Sequence, residues 1–353
     1  MKNIAELDPN MRVDTNIKRE GLCFFDAEQE PFQIYGVFRE GDCFRRMPEK
    51  VAQTVSEGVY QIHTHAAGGR VRFITDSPYI AIKTEYIPTK LPIFTLTGSA
   101  GFDMFAEEKG TSRYLGVFKP PLDVIDGYES LKSIEYPGEK VITLNMPLYS
   151  TVKKLYIGVK EGSVLKEAPK YRITKPVVFY GSSITQGGCA SKPGSSYQSI
   201  LSRQLDFDYI NLGFAGNAKA EDAMVDYIKC LDMSLFVMDY EYNAPNVDYL
   251  QATHTRMFDT IRAAQPNLPI LILCSPKYFL NEEFQKRTQV IYNTYKNAKA
   301  RGDKNVYLIT GRELMNLVGD NGTVDITHPT DSGFFSMSYA MMPVIKKILY
   351  ESI

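Results

Sequence analysis

No run of about 18 apolar residues occurs in the chain, so a membrane-spanning helix is not expected. There is no CxxC pair either. The five cysteines (Cys23, Cys43, Cys189, Cys230 and Cys274) are scattered and odd in number, which argues against a structural zinc site or a disulfide framework. Charge of one sign is missing: 40 basic residues face 41 acidic ones. No global attraction to nucleic acid or an anionic membrane follows. The opening residues, MKNIAELDPNMRVD, lack the apolar core of a secretory leader, and the expected location is the cytoplasm. Neither a P-loop nor a dinucleotide-binding glycine pattern is found. Tryptophan is absent. Any sugar-stacking surface must come from Tyr and Phe, most of which core packing explains.

What is present divides in two. At 353 residues the chain is long for one core. From about 20 to 160 it reads as short strands broken by turns. RVRFITDSPYIAIKTEY (70–86), PIFTLT (92–97), KVITLN (140–145) and KKLYIGV (153–159) are β-branched or aromatic, and EGD, AAGG, DSP and YPGE punctuate them. An all-β jelly roll or sandwich is the expectation. From about 170, apolar strands such as PVVFY and LPILILCSP alternate with helical stretches such as YLQATHTRMFDTIRAAQ. That rhythm implies a parallel sheet covered on both faces, a three-layer α/β/α fold. The polar segment KEAPKYRITK (166–175) sets the expected boundary, giving domains 1–170 and 171–353.

In an open parallel sheet, ligands bind beyond the carboxyl ends of the strands. Those positions hold Gly181, Ser182 and Ser183, then GFAGN with Gly216, then DYEYN with Asn243, and finally DITHP with Asp325 and His328. A serine, flexible glycine amides, an asparagine and an Asp–His pair are the parts of acyl transfer. A G-S-S-I-T turn alone is usually a helix cap, and an isolated Asp–His pair is often a surface feature. Their occurrence together, in order and at strand ends, favours catalysis. His63 and His65, in HTH, would share one strand face with no third metal ligand in view, and a solvated sandwich face is the reading preferred. His254 reads as a surface histidine and Cys189 as a structural or incidental thiol.

In these motifs the chain resembles the SGNH/GDSL hydrolases. Gly181-Ser182-Ser183-Ile184-Thr185 is similar to their G-D-S-x-T block, with Ser182 where an aspartate usually stands. Gly216 matches the second block, Asn243 stands for the third without its usual G-x-N-D setting, and DITHP fits the last block residue for residue. GFDMF (101–105), followed by LGVFKPP, resembles the G-x-D-L-Y domain fused in front of one branch of the family. The resemblance implies a flavodoxin-like α/β/α hydrolase domain preceded by the sandwich. It also implies that Ser183 is the nucleophile, His328 the base and Asp325 its orienting carboxylate. The amides of Ser183 and Gly216 with the Asn243 side chain would form the oxyanion hole. No cofactor and no metal are expected. The expected partner is a small-molecule or oligosaccharide ester, with a short acyl group, acetyl, on a sugar. An acyltransferase of the same fold, or a sugar-binding protein with a vestigial hydrolase half, are the alternatives. Nucleic acid and membrane are not expected partners.

Overall fold

In a computed structural model describing residues 16–108 and 110–351, the N-terminal half forms two antiparallel sheets over a shared core. One sheet runs in the order Leu22–Asp26, Thr151–Lys160, Tyr79–Ile87, Gly127–Ser133. The other runs Leu165–Lys166, Arg70–Thr75, Lys140–Asn145, Phe102–Glu108, Thr111–Phe118. Alternation builds it: in Tyr79–Ile87, Ile80, Ile82 and Tyr86 are buried while Lys83, Glu85 and Ile87 point outward. The inner residues of both sheets, among them Phe73, Met104, Leu144 and Ile157, make one cluster.

Two departures from the sequence pattern matter for the site. Helices Glu49–Val55 and Glu57–Ile62 interrupt a half read as strands and turns. Their inner residues Ala52 and Val59, with Met47 just ahead of the first helix, join the core of the parallel-sheet half rather than the sandwich. PIFTLT (92–97) is no strand. It is a turn leading into the one-turn helix Leu96–Ser99, capped by the Thr95 hydroxyl on the Gly98 amide.

The C-terminal half is a five-stranded parallel sheet of β1 (Ile173–Gly181), β2 (Phe207–Gly213), β3 (Leu235–Asp239), β4 (Ile270–Leu273) and β5 (Val306–Ile309). The order is 2-1-3-4-5, the flavodoxin-like arrangement. Helices α1 (Tyr197–Leu205) and α5 (Asp331–Tyr350) cover one face. Helices α2 (Asp222–Ile228), α3 (Val247–Ala264) and α4 (Glu282–Ala300) cover the other. Successive β1 residues feed opposite cores: Val177 and Phe179 pack with α1 and α5, Val178 and Tyr180 with α2 and α3. Sheets buried on both faces need strands apolar throughout, which is why these were legible.

The halves meet through buried polar contacts. Arg70 reaches across to Asp208, its guanidinium 3.8 Å from the Tyr209 ring centroid. Asp103, the aspartate of GFDMF, is fully buried. Its carboxylate accepts from Asn145 Nδ2 at 2.8 Å and from the Gly194 amide, in the loop after Ser183, at 2.9 Å. Burial pushes the Asp103 carboxyl up to about 6, against the pull of the Asn145 bond. Asp103→Ala would leave two buried donors without an acceptor. The expected loss is about 2 kcal/mol, read as a lower urea midpoint. An unchanged midpoint would show that the clamp contributes nothing.

Candidate active site

Gly181 ends β1 and is in register with Gly213 of β2 and Asp239 of β3, so three loops leave the sheet at one level. The chain then enters the one-turn helix Ser183–Gln186. No side chain fits at 181, because a Cβ there would lie 2.1 Å from Thr185 Oγ1 and 2.3 Å from the Asp239 carbonyl oxygen. The two serines divide their work. Ser182 is buried, and its hydroxyl caps the helix by accepting from the Ile184 amide at 3.1 Å. Ser183, at the first helical position, stays partly exposed.

Ser183 Oγ lies 2.9 Å from His328 Nε2. The other ring nitrogen, Nδ1, lies 2.8 Å from Asp325 Oδ2. Asp325 Oδ1 accepts from the amides of Thr327 (3.1 Å) and His328 (2.7 Å). The three-residue spacing therefore closes on itself, one oxygen gripping the backbone and the other the ring. With Nδ1–H donated to Asp325, Nε2 is left to accept from the Ser183 hydroxyl. Burial pushes the Asp325 carboxyl up, but the bonds from the His328 amide and ring outweigh it and leave it below the ordinary carboxylate range.

Gly216 and Asn243 stand at the same sheet edge. Gly216 sits in the left-handed region at φ 71. Among the described residues no hydrogen bond from the Ser183 or Gly216 amide occurs. Asn243 Oδ1 accepts from the Ala218 amide at 3.1 Å, which ties these two loops together. The Ser183 and Gly216 amides and the Asn243 side-chain amide are donors of the kind an oxyanion needs.

Two aromatic neighbours, Tyr149 and Phe94, had no signal in the sequence. Tyr149, from the sandwich, donates its hydroxyl to the Ser183 carbonyl at 3.0 Å. Phe94, from the segment read as a strand, has its ring centroid 4.4 Å from that of Tyr149 and 6.3 Å from His328. Asp239, buried at the end of β3, accepts from Thr185 Oγ1 at 2.8 Å and Tyr197 OH at 3.1 Å. Two lysines in loops at this edge have internal partners: Lys192 Nζ is 2.8 Å from Ser195 Oγ, and Lys277 Nζ is 2.7 Å from the Ile326 carbonyl.

The remaining histidines correct the sequence reading. His63 ends the helix Glu57–Ile62 and is buried, with Nε2 2.7 Å from Arg45 Nη1. His65 is half-buried, with Nδ1 2.9 Å from Gln186 Nε2. Neither lies on a solvated strand. His254 is also buried, bonded to Thr294 Oγ1 at 2.8 Å, and burial pushes it down to about 3. These rings sit on helix faces or turns whose inward direction a local pattern does not reveal. Cys189 is buried, and burial pushes its thiol up to about 12. Among the described residues no group of three or more His, Cys, Asp or Glu side chains is placed to hold a metal, and no helix is long and apolar enough to cross a membrane.

A serine, imidazole and carboxylate in one chain at the strand ends of a 2-1-3-4-5 sheet define a site of the serine-hydrolase class. Residues 174–346 match the GDSL-like Lipase/Acylhydrolase family, and residues 22–165 match the N-terminus of Esterase_SGNH_hydro-type. The chain belongs to the SGNH/GDSL hydrolases. A solved structure from Bacteroides ovatus ATCC 8483, described as a GDSL-like lipase, is 28% identical with a TM-score of 0.83, covering 93% of this chain and 98% of that one. The salicylyl-acyltransferase SsfX3 of a tetracycline biosynthetic pathway is 17% identical, TM-score 0.75, covering 94% and 99%. An acetyl xylan esterase, Est2A, from the rumen bacterium Butyrivibrio proteoclasticus is 12% identical, TM-score 0.57, covering 93% and 98%. The last two likenesses are of fold. No curated protein matches the chain.

Burial pushes the Asp239 carboxyl up to about 7, against the bonds from Thr185 and Tyr197. A raised carboxyl favours the fold when protonated, and that contribution is lost as pH rises from about 4 through 7. Asp239→Asn cannot ionise, so it has no such penalty. The stability gap between wild type and Asp239→Asn is expected to narrow from pH 5 to pH 8 in thermal melts. A gap that widens would mean the carboxylate is stabilised as an anion.

Proposed function

We propose that the protein is a serine esterase that hydrolyses a short acyl ester, acetyl, carried on a carbohydrate, through an acyl-enzyme on Ser183. The observation that carries this reading is the hydrogen-bonded chain from Ser183 Oγ through His328 to Asp325. Ser183 Oγ attacks the ester carbonyl as its proton passes to His328 Nε2. Asp325 holds the ring and stabilises its cationic form. The carbonyl oxygen becomes an oxyanion facing the amides of Ser183 and Gly216 and the Asn243 side chain. Collapse expels the alcohol, which takes the proton from Nε2. Water then enters, gives its proton to Nε2 and attacks the acyl-enzyme, and Ser183 leaves with that proton. Acetate and the free alcohol are the products.

The half-buried Phe94 ring beside His328 supports the sugar reading, since an aromatic face suits the C–H side of a pyranose. Carbohydrate esterases among the proteins of like fold point the same way. An acyltransferase differs only in the acceptor, an alcohol in place of water. The fold shared with a salicylyl-acyltransferase makes that the second reading, and added alcohol acceptors distinguish the two by their products.

Ser183→Ala is expected to lower kcat for p-nitrophenyl acetate by roughly 10⁴-fold or more. Ser182→Ala, which deletes a cap, is expected to cost about 1 kcal/mol of stability and keep most of the activity. The reverse pattern would place the nucleophile at Ser182. Asp325→Asn is expected to lose rate in kcat, by up to about 10⁴-fold, through the wrong imidazole tautomer; an unchanged kcat would mean another group orients His328. Across p-nitrophenyl esters, kcat/KM is expected to fall from acetate to octanoate. A rise toward octanoate would sink the short-acyl reading while leaving the serine mechanism standing.

A further inference from the structure

Gly216 presents a problem that its own flexibility creates. Its backbone is in the left-handed region, and a glycine there leaves the preceding peptide plane easy to turn over. The direction of the Gly216 N–H is set by that plane, because in a trans peptide the Ala215 carbonyl and the Gly216 N–H point opposite ways. Both sides of Ala215 are held. Its carbonyl accepts from Asn217 Nδ2 at 2.6 Å, and its amide donates to Gln186 Oε1 at 3.1 Å.

Both anchors rest on the N-terminal half. Gln186 is fully buried, and its Nε2 contacts His65 Nδ1 at 2.9 Å and the Leu148 carbonyl at 3.1 Å. Burial, with Arg46 and His63 nearby, pushes the His65 ring down to about 3, so it is neutral and Nδ1 can accept. Asn217 packs directly on Gly58, where an added Cβ would lie 1.9 Å from its Oδ1. Arg46 completes the support by donating to the Asn211 carbonyl at 3.2 Å and to the Gly213 carbonyl.

We infer that Gln186, held by His65, is a positioning residue: it fixes the Phe214–Ala215 peptide through the Ala215 N–H, and with Asn217 on the Ala215 carbonyl it sets the next peptide so that the Gly216 N–H faces the oxyanion. The N-terminal half thereby builds part of the catalytic machinery. The inference rests on the acyl-enzyme reading, which Ser183→Ala tests separately.

The test uses the full chain, with Gln186→Met to remove the side-chain bonds at similar volume. His65→Ala removes the acceptor, and His65→Asn offers an amide oxygen in place of Nδ1. Rates with p-nitrophenyl acetate are divided by the Ser183 titratable with a fluorophosphonate, which cancels any unfolded fraction. Deleting an oxyanion donor costs about 10²–10³ in kcat. Misaiming one is expected to cost roughly tenfold in Gln186→Met, with KM within about twofold. Binding of a phenylboronic acid, which forms a tetrahedral adduct on the serine, is expected to weaken by the same factor. His65→Ala is expected to lose about threefold and His65→Asn to recover it. Wild-type kcat per titrated serine in Gln186→Met overturns the proposal, as does a kcat loss with boronic acid affinity unchanged. Should Gln186→Met fail to fold, equal kcat in wild type, His65→Ala and His65→Asn overturns it.

Discussion

Ser183 and His328 lie 145 residues apart in the chain yet within one hydrogen bond, and the Asp331 carboxylate keeps them there. Three residues after His328, it accepts from the Ser191 amide at 2.8 Å and from the Ser191 hydroxyl. Hydrogen bonds to a carboxylate are among the stronger ones available. They join the segment after the nucleophile to the helix after the base. The same segment is gripped from the sandwich, by Asp103 on the Gly194 amide and by the Thr95 and Thr97 hydroxyls on the Ser191 carbonyl. It is thus a junction of three parts, and the sandwich belongs to the site as much as the sheet does.

The carboxyls around this junction fall into two electrostatic groups. Asp103, Asp239 and Glu241 are buried, and burial pushes them up to about 6, 7 and 7. Each holds loops together: Glu241, for instance, accepts from the Ser275 amide at 2.7 Å, joining the ends of β3 and β4. Near neutrality these acids carry less charge than exposed ones, which limits the field they impose on the sheet edge. Asp325 is the opposite case. Partly exposed, and given two amides and a ring N–H, it is kept ionised. Two environments for one chemical group separate a framework role from the role of stabilising an imidazolium.

The order in which the sequence yielded these parts follows from the range of each interaction. The parallel strands were legible because burial on two faces demands continuous apolar runs. Ser183, Asp325 and His328 were legible because they lie in short motifs at strand ends, where the fold places chemistry. Phe94 was not, because PIFTLT has the β-branched and aromatic content of a strand, while the Thr95 cap and its contacts at Ala190 and Ser191 come from the other half of the chain. His65 and Gln186 failed for the same reason. Their partnership spans 121 residues, and no local periodicity encodes it. His254 lay on a helix whose buried face is set by α4, and so read as a surface residue.

One strained residue shows how tightly the base is held. Ile326, between Asp325 and His328, has φ 64, a left-handed conformation that sits badly with a β-branched side chain and costs about 1–2 kcal/mol. Such a conformation persists only where its surroundings over-determine it. Here they do. Asp325 Oδ1 takes the two amides that follow, Lys277 Nζ takes the Ile326 carbonyl, and the Val324 amide bonds the His328 carbonyl at 2.8 Å. Lys277 is itself steadied over the Phe284 ring, 4.7 Å from its centroid. The turn therefore has one arrangement open to it, in which the ring meets the carboxylate on one side and the serine on the other. Precision in the imidazole is achieved by crowding bonds onto its backbone, with the loop between β5 and α5 held from the loop after β4.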